Sequence, residues 1–142
     1  MLKKLKSYFQ KFPFIAKRYR YLREYFGLIK KEKTSIYGFL WKGNKLVLDG
    51  SFEPTEIKIV TFFLKYVDTV LNIGANQGFY TCISLSQNKK VIAFEPDPLN
   101  FRYLIENIKI NNWADNVEAY PLAASNQNGL QKNLFCLKEI NL

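Results

Sequence analysis

The run Val70-Leu71-Asn72-Ile73-Gly74-Ala75-Asn76-Gln77-Gly78 ends an apolar segment on a turn punctuated by two glycines. A second apolar run, Val91-Ile92-Ala93-Phe94, ends on the acid Glu95, which follows Gly78 by 17 positions. This is the layout of a strand, a nucleotide-binding turn, a helix and a second strand tipped by a ribose-binding carboxylate. Gly74 and Gly78 permit positive φ and remove the Cβ that would collide with a ligand lying on the backbone. The free N–H groups at the helix start favour an anionic group. The two oxygens of Glu95 can accept bonds from the two hydroxyls of a ribose. A charged hydrogen bond of that kind is worth about 1.5–3 kcal/mol, so its loss predicts binding weakened about 10- to 100-fold.

The turn also discriminates between nucleotides. A dinucleotide site reads G-x-G-x-x-G, but Asn76 stands at the middle position here, and the Lys and Ser/Thr of a phosphate-clamping loop are absent. Without a diphosphate to hold, the turn suits S-adenosylmethionine, which has a ribose and an adenine but no phosphate. A nicotinamide-dependent reductase is the weaker alternative. The rest of the catalytic inventory is sparse. There is no histidine, the commonest general base and metal ligand, so no catalytic base and no metal site is assigned. Glu53, before Pro54, is a candidate to reach the cofactor from upstream, and Tyr80 and Thr81 suit either the cofactor's border or the packing of the helix. Asp97 before Pro98 reads as a helix N-cap, and Asn107 and Asn111 read as polar residues near a helix end.

The elements that must position this site follow from periodicity. Thr69–Ile73, Val91–Phe94 and Val117–Leu122 read as strands. Gly78 to about Ser86 reads as a helix, and Phe101, Leu104, Ile105 and Ile108 have the spacing of a packed helix. Alternation of this kind predicts a parallel sheet with right-handed crossovers. Upstream, Thr55–Val67 reads as a helix, with Ile57, Val60, Leu64 and Val67 on one face. Residues 36–49 read as a hairpin around Lys42-Gly43-Asn44. Residues 2–31 read as two basic helical pieces separated at Pro13. Ile15, Tyr19, Leu22, Phe26 and Ile29 make one stripe of the second piece, taken as a docking face. Gly27 inside it costs about 1 kcal/mol relative to Ala. Beyond Asn126-Gln127-Asn128-Gly129, a turn, Leu130–Leu137 reads as one more strand.

The string from Leu71 to Thr81, then Ala93-Phe94-Glu95-Pro96-Asp97-Pro98, then Asn107 and Asn111, then Pro121-Leu122-Ala123, resembles the FkbM family of S-adenosylmethionine-dependent methyltransferases over roughly residues 68–130. The resemblance implies a Rossmann-like class I methyltransferase fold, an α/β architecture of which this chain holds the N-terminal half of a mostly parallel sheet. It implies that Asn72, Gly74, Ala75, Asn76, Gln77 and Gly78 wrap the methionine portion of the cofactor. Glu95 would hold the ribose, and the Leu122–Ala124 turn, with Ala123 at its centre, would touch the adenine. It implies O-methylation of a hydroxyl on a natural product or glycan. Two departures stand out. The family usually has Asp where this chain has Asn72, which keeps an acceptor but lacks a negative charge near a cationic ligand. The family also continues with a second half-sheet and a Lys-x-Asp-x-Glu-Gly segment that 126–142 does not match. The expectation is a C-terminally truncated or split member, with an unpaired edge on the first strand. The alternative is a non-catalytic fragment that binds S-adenosylmethionine or a membrane surface.

The net charge of +9 is not a global property. Residues 1–33 carry eleven of the 21 Lys and Arg and two of the 12 Asp and Glu, so residues 34–142 carry ten of each. The chain therefore divides into a basic amphipathic segment (1–33), a hairpin and helix leading into the core (34–67), and a partial S-adenosylmethionine-binding domain (68–142). The basic segment suits a core or partner helix first, then an anionic membrane surface. Nucleic acid ranks below these, for want of a reading motif. Cys82 and Cys136 form no framework and read as small packed thiols of a reducing compartment. With no secretory signal and no apolar run of about 18 residues, the expected location is cytoplasmic, with peripheral membrane contact through residues 1–33.

Overall fold

The computed structural model describes residues 13–126. The segment 2–12, the turn residues after Asn126, the Leu130–Leu137 strand and Cys136 lie outside the described residues.

The sheet forms where the apolar runs predict it. Strands β3 (Thr69–Ile73), β4 (Lys90–Phe94) and β5 (Val117–Tyr120) are parallel in the order β3-β4-β5. The register sets Asn72 beside Ala93 and Phe94 beside Tyr120. Two shorter strands, β1 (Lys33–Thr34) and β2 (Leu40–Trp41), form a separate antiparallel pair. Helix α3 (Phe79–Ser86) connects β3 to β4, and α4 (Pro98–Ile110) connects β4 to β5. Right-handed crossovers in one direction place both helices on one face. Accordingly, Val91 and Ala93 are buried with Leu85, Leu104 and Ile108 in one cluster. On the other face Leu71, Ile73 and Tyr120 are exposed. Among the described residues β3 pairs with β4 alone. Helix α4 starts as its cap predicts: Asp97 accepts bonds from Leu99 N and Asn100 N at 3.0 and 2.9 Å, with Pro98 in the first turn.

A second cluster joins the upstream segment to this unit. Helix α2 (Pro54–Phe63) and the 3-10 turn Leu64–Tyr66 bury Ile57 and Leu64 against Phe39, Trp41, Val47, Phe79, Cys82 and Ile83. Phe79 is its hub, with the rings of Phe52, Tyr37, Tyr80 and Trp41 at 5.3, 5.4, 5.5 and 6.0 Å. Cys82 is fully buried, and burial pushes its thiol pKa up.

The hairpin differs from the sequence expectation. Its strands are 33–34 and 40–41, joined through a turn in which Ser35 N and Oγ both donate to Phe39 O. Residues 45–47 form a 3-10 turn capped by the Asn44 side chain rather than a returning strand. The physical cause lies in α4. Asn111 Oδ1 accepts from Leu40 N and its Nδ2 donates to Leu40 O, at 2.9 and 2.8 Å. Asn107 treats Lys42 in the same way, at 2.8 and 2.9 Å. Two amides one helical turn apart thus meet alternate residues of an extended chain and occupy the edge that a second strand would need.

Helix α1 (Pro13–Leu28) leans on α4 at Gly27. A Cβ there would lie 2.1 Å from the hydroxyl of Tyr103, which is buried. Gly27 is therefore a close-approach point, which the propensity argument misses. Gly27→Ala would gain about 1 kcal/mol of helix propensity but overpack the contact at about 1–3 kcal/mol. The expected net result is a lower urea midpoint, measured by circular dichroism.

Candidate functional site

Parallel strands bring their C-terminal ends together. The turn after β3, Glu95 after β4 and the Pro121–Ser125 segment after β5 therefore share one end of the sheet. The sheet ladder runs on into this end. Gly74 N and Ala75 N both donate to Phe94 O at 2.9 Å, and Glu95 N donates to Tyr120 O at 3.0 Å.

Glu95 is the centre of the arrangement. It is buried, with 6% of its surface exposed. Its Oε2 accepts from Asn76 N at 2.6 Å and its Oε1 from Asp97 N at 2.8 Å. Each carboxylate oxygen has two acceptor positions, so the backbone fixes the group and leaves one position on each oxygen for a vicinal diol.

The turn itself is shaped by three positive-φ residues. Gly74 has φ +80°, Asn76 +53° and Gly78 +90°. Asn tolerates this region because its side chain bonds locally, and Asn76 Oδ1 accepts from Gln77 N at 2.8 Å. The two glycines answer different demands. A Cβ on Gly74 would meet no atom within 4 Å, so that space is open to a ligand. A Cβ on Gly78 would lie 2.6 Å from Leu104 Cδ1 and 3.3 Å from Leu104 Cα. For Gly78 the collision expected with a ligand is instead a collision with α4.

The remaining candidates divide. Ala75 is buried in the core beneath the turn. Asn72 Nδ2 donates to Thr81 Oγ1 at 3.0 Å, tying the end of β3 to α3. Gln77 turns away from the open space: its Oε1 accepts from Asn44 N at 2.8 Å, and its carbonyl accepts from Asn107 Nδ2 at 2.9 Å. Ala123 is exposed in the segment after β5, next to exposed Leu122. Glu53, with φ +46°, reaches α3 from upstream and accepts a hydrogen bond from the Tyr80 hydroxyl. Burial, and then the Glu53 carboxylate, push the Tyr80 pKa up. The fully buried Asn107 is the clamp that joins the turn to residue 42, a role that its place near a helix end does not reveal. The available signal was two asparagines four apart on one helix, opposite an alternating extended segment. Among the described residues no group of three His, Cys, Asp or Glu gathers as a metal site.

Three parallel strands with crossover helices on one face, and a glycine turn answered by a strand-end acid, define a Rossmann-like α/β fold. Its structural likeness is to an S-adenosylmethionine-dependent methyltransferase from Agrobacterium tumefaciens (TM-score 0.51, 12% identity, covering 67% of this chain and 33% of that one). P. horikoshii TYW2, solved in complex with MeSAdo, aligns with TM-score 0.48 and 28% identity over 61% of this chain and 33% of its own. In sequence, an uncharacterized protein of Methanocaldococcus jannaschii is 37% identical over 73 residues, which are 51% of this chain and 28% of that protein. The chain thus spans about a third or less of the length of these proteins. No family model matches the chain.

Proposed function

We propose that this chain binds S-adenosylmethionine and serves methyl transfer to a hydroxyl of a small-molecule or glycan acceptor, on a plan similar to the FkbM family. The observation that carries the reading is the buried Glu95 carboxylate, held by two backbone N–H groups beside the open space over Gly74. The likeness of fold to a methyltransferase and the ordered motifs from Leu71 to Ala123 support it. In this reading Glu95 accepts the two ribose hydroxyls. Gly74 and Asn76 leave the backbone accessible to the methionine portion. Asn72 places an uncharged amide where the sulfonium compound lies, and Ala123 borders the adenine. Gly78 and Gln77 hold the turn in place.

Held by Glu95 and the Gly74–Asn76 turn, S-adenosylmethionine would supply an activated methyl group for an acceptor oxygen. The protein's part in such a transfer is chiefly alignment of the acceptor. Residues 1–142 contain no histidine, so a base drawn from them would be a carboxylate, Lys or Tyr.

The test is calorimetric titration of the full chain with S-adenosylmethionine. Glu95→Ala is expected to weaken binding about 10- to 100-fold, the loss of a charged hydrogen-bonding group. Equal affinity in both proteins would overturn the assignment of Glu95. Tight NADH binding with none for S-adenosylmethionine would overturn the choice of cofactor.

A further inference from the structure

Helix α1 presents the wrong side to the core for the role its periodicity suggests. The stripe that amphipathic spacing marks for packing points outward: Tyr19 is 59% exposed, Leu22 45%, Phe26 58% and Ile29, just past the helix, 73%. Tyr21 and Tyr25 widen the same exposed surface. The helix is held from elsewhere. Gly27 faces Tyr103, and Lys42 Nζ donates to Leu28 O at 3.3 Å. Gly27 comes five positions after Leu22, so it sits about 140° round the helix from it. Arg18, Lys30, Lys31 and Lys33 are exposed on the same segment.

We propose that the outward face of α1 docks on an anionic lipid surface, with its apolar side chains in the interface and its cations at the headgroups. Charge selects this occupant. Residues 1–33 hold the whole excess of positive charge, while residues 34–142 carry ten acids and ten bases. Pairing α1 with α1 of a second copy would set two basic segments against each other. Nucleic acid supplies phosphates and bases for the tyrosines, but no apolar depth for Leu22 and Ile29. An anionic bilayer interface supplies both. Among the described residues no helix is long and apolar enough to cross a membrane, and α1 lies on the surface.

The experiment is co-sedimentation of the full chain with vesicles of phosphatidylcholine alone and of phosphatidylcholine mixed with phosphatidylglycerol. The expected result is binding to the mixed vesicles that weakens with added salt. The double variant Leu22→Glu/Phe26→Glu is expected to lose partition about ten-fold or more. Lys30→Glu/Lys31→Glu is expected to lose about five-fold for each cation removed. All four side chains are exposed, and an unchanged circular dichroism spectrum checks that the fold is kept. Equal sedimentation with both vesicle types would overturn the proposal, as would undiminished binding by Leu22→Glu/Phe26→Glu. Capture of a labelled RNA oligonucleotide without vesicle binding would assign the face to nucleic acid instead. A dimer in ultracentrifugation that the same double variant disperses, again without vesicle binding, would assign it to a second copy.

Discussion

Asn107→Asp is expected to destabilise the fold by about 3–5 kcal/mol. Asn107 is fully buried. Its Oδ1 accepts from Lys42 N, and its Nδ2 donates to two carbonyls, Lys42 O and Gln77 O, both at 2.9 Å. Aspartate can still accept the first bond. It replaces the donor with an oxygen facing two carbonyl oxygens, in a site where ionisation is costly and protonation supplies one donor for two acceptors. Each buried polar group left unpaired costs about 1–3 kcal/mol. Urea unfolding followed by circular dichroism measures the loss. Amide exchange at Lys42, whose N–H residue 107 can still accept, shows whether the remaining bond survives loss of the two donated ones. Asn111→Ala, at a half-buried position, is expected to cost about 1–2 kcal/mol. An unchanged midpoint for Asn107→Asp would mean that the clamp contributes nothing. Because Asn107 also holds the carbonyl of Gln77, the same variant is expected to loosen the turn at the candidate site.

That clamp marks the boundary of what the sequence made legible. The unit from Thr69 to Ile110 could be read because its determinants are local. Apolar runs set β3 and β4, glycines set the turn, and the Asp97-Pro98 cap sets the start of α4. Glu95 was placed at a strand tip by spacing alone, and its burial is consistent with that placement. What could not be read depends on partners far along the chain. Asn44 meets Gln77 across 33 positions, and the Asn107 and Asn111 amides meet residues 42 and 40 across 65 and 71. With those contacts in place, the hairpin pairs 33–34 with 40–41 instead of closing around Lys42-Gly43-Asn44 within 36–49. For α1, spacing reveals an apolar stripe but not which side meets the protein. A single glycine opposite Tyr103 settles that.

The two turn glycines are expected to fail in opposite ways. Gly78→Ala carries a methyl group into Leu104, where the nearest atoms are a side-chain carbon at 2.6 Å and the backbone Cα at 3.3 Å. Leu104 is fully buried beneath the sheet and has little room to yield. Overpacking of this kind costs about 1–3 kcal/mol, and a Cβ in the left-handed region adds about 1–2 kcal/mol. The sum, about 2–5 kcal/mol, is a large share of the stability of a small domain. The expected result is a marked fall in the urea midpoint. Gly74→Ala has the same backbone penalty of about 1–2 kcal/mol but meets no atom within 4 Å. It is expected to stay folded at moderate urea and to lose affinity for S-adenosylmethionine in calorimetry, because its methyl group enters the space assigned to the ligand. The pair separates fold from function at one turn. If Gly74→Ala binds as tightly as the unaltered chain, the ligand does not lie over Gly74. If Gly78→Ala is as stable as Gly74→Ala, Leu104 does not restrict the turn.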